Sequence, residues 1–293
     1  LAARRIVSLL PSATEIVCAL GLGDRLVGVS HSCDYPAEVL GKPRVSRPRT
    51  DFAGMSSGEI DAAVRATLRD HGSVYEVDVE QIAALKPDLI LTQGICDVCA
   101  VPEKQVLSLD IPANVLTLDA HDLSAILAGI RDVGRATGTD SRAHDLVKDI
   151  ERRIAAVQRR VAGQPRPRVL ALEWLDPPYV PGHWVPELIE LAGGDLLAGT
   201  ARRPSYRLDW PELEELHPDL VLIMPCGFTA EESQCEAERR GDQLSRIGGH
   251  VHVLDASSYF SRSGPRVVDG LEMLASTFAD FRRLPPSSAV LYF

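Results

Sequence analysis

Cys96 and Cys99 stand three residues apart, and two thiolates at that spacing can chelate one metal ion or close a reducible disulfide. A lone pair does not complete a tetrahedral site, so the other donors matter. Cys33 and Cys226, like the Cys96/Cys99 pair, fall in segments that follow short apolar runs. Cys33, Cys96 and Cys99 are the metal-ligand candidates: together they could hold zinc or an iron–sulfur cluster, or touch the metal of a bound ligand. Equally, they could be small loop residues with no metal, and no cofactor is required. His31 and His183 lie in similar segments, where a neutral imidazole can coordinate cobalt, iron or zinc, or simply fix its loop by hydrogen bonding. A cysteine- or metal-dependent enzyme would use one of these sulfurs as nucleophile and one of these imidazoles as base. No orienting carboxylate accompanies them in a recognisable order, so the chain reads as a binding protein, not an enzyme. Cys18 sits on a helical apolar pattern and Cys235 in a charged stretch.

Aromatic residues are few, with three Trp, six Tyr and six Phe, but they gather in the same kind of segment. Tyr35, Trp174, Tyr179, Trp184, Phe228, Tyr259 and Phe260 all follow predicted strands, beside His183 and Arg262. These nine are the ligand-binding candidates, because small-molecule sites are apolar pockets with a few polar groups. The alternative for any one aromatic is packing beneath its own loop.

The elements that must position them come in two copies. Leu85-Lys-Pro-Asp-Leu-Ile-Leu91 recurs as Leu216-His-Pro-Asp-Leu-Val-Leu222, each reading as a helix stopped at proline and followed by a strand buried on both faces. Gly23-Asp-Arg-Leu-Val-Gly28 pairs with Gly194-Asp-Leu-Leu-Ala-Gly199, and Val115-Leu-Thr-Leu-Asp-Ala120 with Val251-His-Val-Leu-Asp-Ala256, in the same order. The fold class is therefore α/β, two similar parallel-sheet lobes joined by one long helix, with a cleft between them. The boundaries are 1–140 for the N-terminal lobe, with an insertion at about 44–78, 141–164 for the linking helix, and 165–285 for the C-terminal lobe. Residues 286–293 form a tag-like tail. In such sheets ligands bind outside the carboxyl ends of the strands, where the candidate residues fall.

Composition narrows the partners. With 31 basic against 41 acidic residues the net charge is −10, which gives no basic field for phosphate, so no nucleic acid is expected. No apolar run reaches the roughly 18 residues of a membrane span. Six cysteines in 293 residues are too sparse for a disulfide framework. Arg5-Ile-Val-Ser-Leu-Leu10 opens directly on a strand pattern, so the visible sequence reads as cytoplasmic, or as periplasmic or extracellular if a signal segment was removed ahead of it.

Several blocks carry a resemblance: Arg5-Ile-Val-Ser-Leu-Leu-Pro-Ser-Ala-Thr-Glu15, Asp34-Tyr-Pro36, Leu85-Lys-Pro-Asp-Leu89 and Ser258-Tyr-Phe-Ser-Arg-Ser-Gly-Pro-Arg266. They resemble the helical-backbone (class III) substrate-binding proteins of vitamin B12 and iron-siderophore ABC importers. Cys33-Asp-Tyr-Pro36, Cys96-Asp-Val-Cys99, Glu173-Trp-Leu-Asp-Pro-Pro178, Gly182-His-Trp184 and Pro225-Cys-Gly-Phe228 are similar to the branch labelled cobalamin-binding protein. The resemblance implies non-catalytic binding of a cobalamin-like corrinoid in the interlobe cleft, for transport or intracellular handling, with an iron-siderophore or heme as alternatives. It also implies ring contacts from Tyr35, Tyr179, Tyr259 and Phe260. An ABC permease is the implied partner, docked through a glutamate on each lobe. The second-lobe position is Ser261 here, and Glu59 is the first-lobe counterpart, which sets this chain apart from importer-associated members.

Overall fold

The computed structural model describes residues 2–95, 98 and 100–283, so Cys96, Cys99 and the tail 286–293 lie outside the described residues. Two compact units emerge: Leu1–Gly54 with Ala62–Ala120 and Ser124–Asp149, and Met55–Asp61 with His121–Leu123 and Ile150–Phe293.

The first unit carries strands β1 (Ile6–Ser8), β2 (Leu26–Val29), β3 (Ser46–Pro48), β4 (Tyr75–Val77), β5 (Leu89–Gln93) and β6 (Asn114–Leu118). β2-β1-β5-β6 form one sheet, parallel throughout. β1 and β5 are buried along their whole length, as a parallel sheet covered on both faces requires. Proline opens the helix Pro11–Ala19, where its missing N–H has no intrahelical partner to lose. The Asp78 carboxylate caps the helix Val79–Leu85 through the Gln81 N–H. Residues 46–77 hold an antiparallel pair, β3 with β4, and between them in sequence the helix Ser57–His71, whose residues through Asp61 belong to the second unit. Val7, Leu9, Val45, Ile82 and Ile90 pack as this unit's core.

The second unit carries β7 (Arg168–Leu172), β8 (Trp174–Leu175), β9 (Pro178–Val180), β10 (Asp195–Leu196), β11 (Tyr206–Arg207), β12 (Leu220–Ile223) and β13 (His250–Val253). Its main sheet has the order β10-β7-β12-β13, again parallel. Strand for strand this matches the first sheet. The Gly23 and Gly194 segments feed β2 and β10, the Leu-x-Pro-Asp segments feed β5 and β12, and the third pair supplies β6 and β13. One segment differs from expectation: Trp174 to Trp184, read as a loop, contains β8 and β9, which pair antiparallel with each other and with β11. Trp174, Leu175, Tyr179 and Val180 are strand formers, and the double proline between them interrupts the pattern on which a strand would be read. A single helix runs over Asp140–Val161, its residues through Asp149 in the first unit and those from Ile150 in the second.

The repeated Leu-x-Pro-Asp motif closes the amino ends of both sheets in the same way. Lys86 and His217 both take φ 47° just ahead of the proline; at Lys86 this left-handed residue caps the helix Val79–Leu85, and at His217 it follows the turn after the helix Trp210–Glu214. The Asp88 carboxylate accepts the backbone N–H groups of Arg4 (2.8 Å) and Arg5 (2.9 Å), and the Asp88 N–H donates to the Arg5 carbonyl (2.9 Å). In the second unit the Asp219 carboxylate accepts the Arg168 N–H (2.8 Å), while its own N–H donates to the Arg168 carbonyl (2.9 Å). Arg5 and Arg168 then donate from their guanidinium groups to the carbonyls of Leu85 (3.0 Å), the last residue of its helix, and Leu216 (2.6 Å), in the turn after its helix. Each turn thus satisfies strand-end donors that no hairpin covers.

Two outcomes follow from these contacts. Asp88→Ala and Asp219→Ala should each lower the unfolding free energy measured in urea melts by about 1.5–3 kcal/mol, the range for hydrogen bonds to a charged group, and by similar amounts in the two units. Burial holds the His252 imidazole below its ordinary value of 6.5, opposed by the Asp280 charge. The unfolded chain then takes up its proton first as pH falls. His252 therefore contributes stability that is full above pH of about 6.5 and declines below it, and His252→Gln should flatten that acid slope.

Candidate functional site

All four strands of the first sheet end on one edge, and the segment after β2 is held there by Arg44. Its Nη1 donates to the Ser30 carbonyl (2.9 Å) and the Cys33 carbonyl (2.5 Å). Cys33 is 1% exposed, with its sulfur 3.1 Å from Thr14 Oγ1. Thr14 gives its own hydroxyl proton to Ser8 Oγ (2.8 Å), so Cys33 is the donor at the head of a buried hydroxyl ladder. It is a hydrogen-bonded thiol of the loop's underside, and among the described residues no group of three or more metal-ligating side chains forms. The expected approach of Cys33 to Cys96 and Cys99 lies outside the described residues. His31 is half-buried; its Nδ1 lies 3.1 Å from Ser46 Oγ and its ring centroid 5.2 Å from that of Tyr75. Burial, aided by the Arg44 charge, holds His31 below the usual imidazole range. Tyr35 is 48% exposed.

In the second unit the expected aromatics fall into three neighbouring groups. Trp174 and Tyr179 are cross-strand partners on β8 and β9, where facing aromatic side chains reinforce the pairing. The Trp174 indole donates to the carbonyls of Asp176 (3.1 Å) and Ser57 (3.2 Å), and its ring meets Phe228 edge-on at 5.2 Å. Ser57 Oγ in turn donates to the buried Glu236 carboxylate (2.5 Å).

Phe228 leads to the second group. Its carbonyl accepts the Ser257 N–H (2.8 Å), and Ser261 Oγ accepts the Gly227 N–H (3.0 Å). These bonds fasten the segment after β12 to the one after β13. Tyr259 is half-buried under the Arg266 guanidinium, 5.6 Å from its ring. Phe260 and Arg262 are 3% and 8% exposed, and Arg262 Nη2 reaches Ser257 Oγ at 3.4 Å. Ser261 therefore ties its segment to the neighbouring one at the position where the resemblance sets a docking glutamate.

His183 and Trp184 form the third group. His183 sits at φ 51°, its N–H donating to the Arg203 carbonyl (2.7 Å) and its carbonyl accepting from Arg202 (3.0 Å). Gly182 permits this approach, since a Cβ there would lie 2.3 Å from the Arg203 oxygen. The His183 ring stacks on Trp184 (6.1 Å) and meets His121 (5.8 Å). Trp184 is 8% exposed with its buried indole N–H unpartnered. His121 and Ser46 are the residues that sequence reasoning missed. His121 follows the third repeat pair directly, so the repeat could have found it; Ser46 carries no such mark.

The fold and these strand-end loops define a two-sheet substrate-binding architecture, and the comparisons agree. The family model described as periplasmic binding protein matches residues 6–239, and the chain belongs to that family. It is 28% identical to an uncharacterised ABC transporter substrate-binding lipoprotein, YvrC of Bacillus subtilis, over 94% of this chain and 79% of that protein. It is 24% identical to a vitamin B12-binding protein of Pectobacterium atrosepticum, over 98% and 92%. Among solved structures it resembles the periplasmic vitamin B12 binding protein BtuF of Vibrio cholerae, with a TM-score of 0.67 at 23% identity over 96% and 99% of the chains. A periplasmic heme binding protein from Pseudomonas aeruginosa gives 0.74 at 23% identity over 98% and 96%. The last two likenesses bear on the fold. No helix among the described residues is long and apolar enough to cross a membrane.

Thiol reactivity checks the sulfur placements. Cys226 and Cys235 are exposed and Cys33 buried, and burial together with the Glu38 charge pushes the Cys18 thiol up to about 12. In a Cys96→Ser/Cys99→Ser variant, Cys226 and Cys235 should react with a disulfide reagent in the native state, and Cys18 and Cys33 only on unfolding. Rapid labelling of Cys33 would contradict its placement.

Proposed function

We propose that this protein captures a corrinoid of the cobalamin type, without chemical turnover, and delivers it to an ABC permease. The observation that carries this reading is the aromatic set of the strand-end segments: Trp174 edge-on to Phe228 and paired across β8 and β9 with Tyr179, Tyr259 on the segment tied to Phe228, and Tyr35 exposed on the first unit. Flat, largely apolar rings suit a large macrocycle, and the few polar groups beside them, His183 and Arg262, suit its amide or carboxylate rim. Relatives named vitamin B12-binding proteins support the ligand class, and a relative named an ABC transporter substrate-binding lipoprotein supports both a permease partner and work outside the cytoplasmic membrane. Heme is the second reading, favoured by the two imidazoles, His31 and His183, on the loops; an iron-siderophore is the third. Permease docking in this chain needs surfaces other than Ser261, whose hydroxyl oxygen accepts from Gly227 of the neighbouring loop.

Titration calorimetry with adenosylcobalamin, cobinamide, heme and a set of ferric siderophores discriminates these ligands. A corrinoid should bind one to one with no turnover. Tyr35→Ala and Tyr259→Ala should each weaken it by about 1–3 kcal/mol, roughly tenfold to a hundredfold, with little change in melting temperature. Unchanged affinity in both variants would move the site elsewhere.

A further inference from the structure

The geometry points to His31 Nε2 as a ligand for the metal centre of the bound macrocycle, with Ser46 as the residue that sets its tautomer and aim. His31 follows β2 immediately, on the carboxyl edge of the first sheet, and is half-buried. Its Nδ1 lies 3.1 Å from Ser46 Oγ, and its backbone N–H donates to the same oxygen at 3.3 Å. Ser46 gives its one hydroxyl proton to Ser30 Oγ (3.3 Å), so what it offers His31 is a lone pair. Ser30 Oγ is farther from Nδ1, at 3.5 Å, and has Ser32 Oγ nearer at 3.1 Å; with the Ser30 proton on Ser32, Nδ1 carries the imidazole proton, which leaves the Nε2 lone pair bare. Among the described residues Nε2 has no hydrogen-bond partner, and the Tyr75 ring at 5.2 Å limits the swing of the imidazole. Metal-ligating histidines are held in this manner, one ring nitrogen donating to a fixed oxygen and the other presented to the metal. Arg44 pins the carbonyls on either side of the turn, Ser30 and Cys33, so the imidazole stands on a braced backbone.

The step is a ligand exchange without redox change. The Nε2 lone pair forms a bond to cobalt(III) as the bond from cobalt to an axial water breaks, and the water leaves with both its protons. The macrocycles that qualify are those with an exchangeable axial position, such as an aqua-corrinoid or ferric heme. This inference rests on the proposed macrocycle ligand, and the test separates the two. Diaquacobinamide added to the wild-type protein should shift its visible bands toward those it shows in free imidazole solution. His31→Ala should bind it at least tenfold more weakly and without the shift, which added imidazole should restore. Ser46→Ala should keep the shift but weaken binding severalfold. Adenosylcobalamin, with both axial positions filled, should bind wild type and His31→Ala alike. A wild-type complex with no shift, or a shift that survives in His31→Ala, overturns the assignment while leaving the proposed function standing. If neither corrinoid binds wild type at all, the proposed ligand falls, and the assignment with it.

Discussion

Within each main sheet every strand runs parallel to its neighbours, and that single constraint organises the rest of each unit. A parallel sheet cannot close with hairpins, so every strand is reached by a crossover and the amino ends need their own closure. Leu-x-Pro-Asp provides it twice. A left-handed residue and proline turn the chain from helix to strand, the aspartate collects the N–H groups of the neighbouring strand's start, and an arginine collects the leucine carbonyl ahead of the turn. With the amino edge committed to structure, the carboxyl edge is left to the loops, where side chains are under less packing constraint. The separation explains why the most repeated residues of the chain are not those that would meet a ligand.

The carboxyl edges of the two sheets are built from different materials. The first uses two short chains of buried polar groups, Cys33, Thr14 and Ser8 in one and Ser46 and Ser30 in the other, the second beside one braced imidazole. Such hydrogen-bonded groups rigidify the loops that carry them. The second uses aromatic faces held by backbone bonds: Trp174 by its indole N–H, Phe228 and Ser261 by the bonds that join their loops, and His183 by its left-handed turn against Arg203. One edge is suited to a directed polar contact, the other to broad apolar contact.

Much of this was legible in the sequence, for identifiable reasons. The three repeat pairs located β2, β5 and β6 and their counterparts β10, β12 and β13, because continuous apolar runs bounded by Gly and Pro have few other readings. The aromatic candidates were found by type and position, but their burial was not: Phe260 and Trp184 are nearly enclosed while Tyr35 is open, a distinction made by tertiary packing. The strands β8 and β9 were hidden by Pro177 between them and Pro178 at the start of β9. Ser46 was invisible because its role depends on the direction of a hydroxyl proton, set by Ser30 sixteen residues earlier. Cys33 was singled out for its sulfur, whereas the structure places that sulfur in a hydrogen bond with Thr14.

The central claim is that the loops at the sheets' carboxyl edges bind a corrinoid as cargo. Titration of the purified protein with adenosylcobalamin, read by calorimetry and by recovery of unchanged ligand, tests it most directly. The account predicts one-to-one binding at or below about micromolar Kd, near −8 kcal/mol, with the corrinoid returned intact. Absence of binding to any corrinoid, with tight binding of a ferric siderophore in its place, would contradict it.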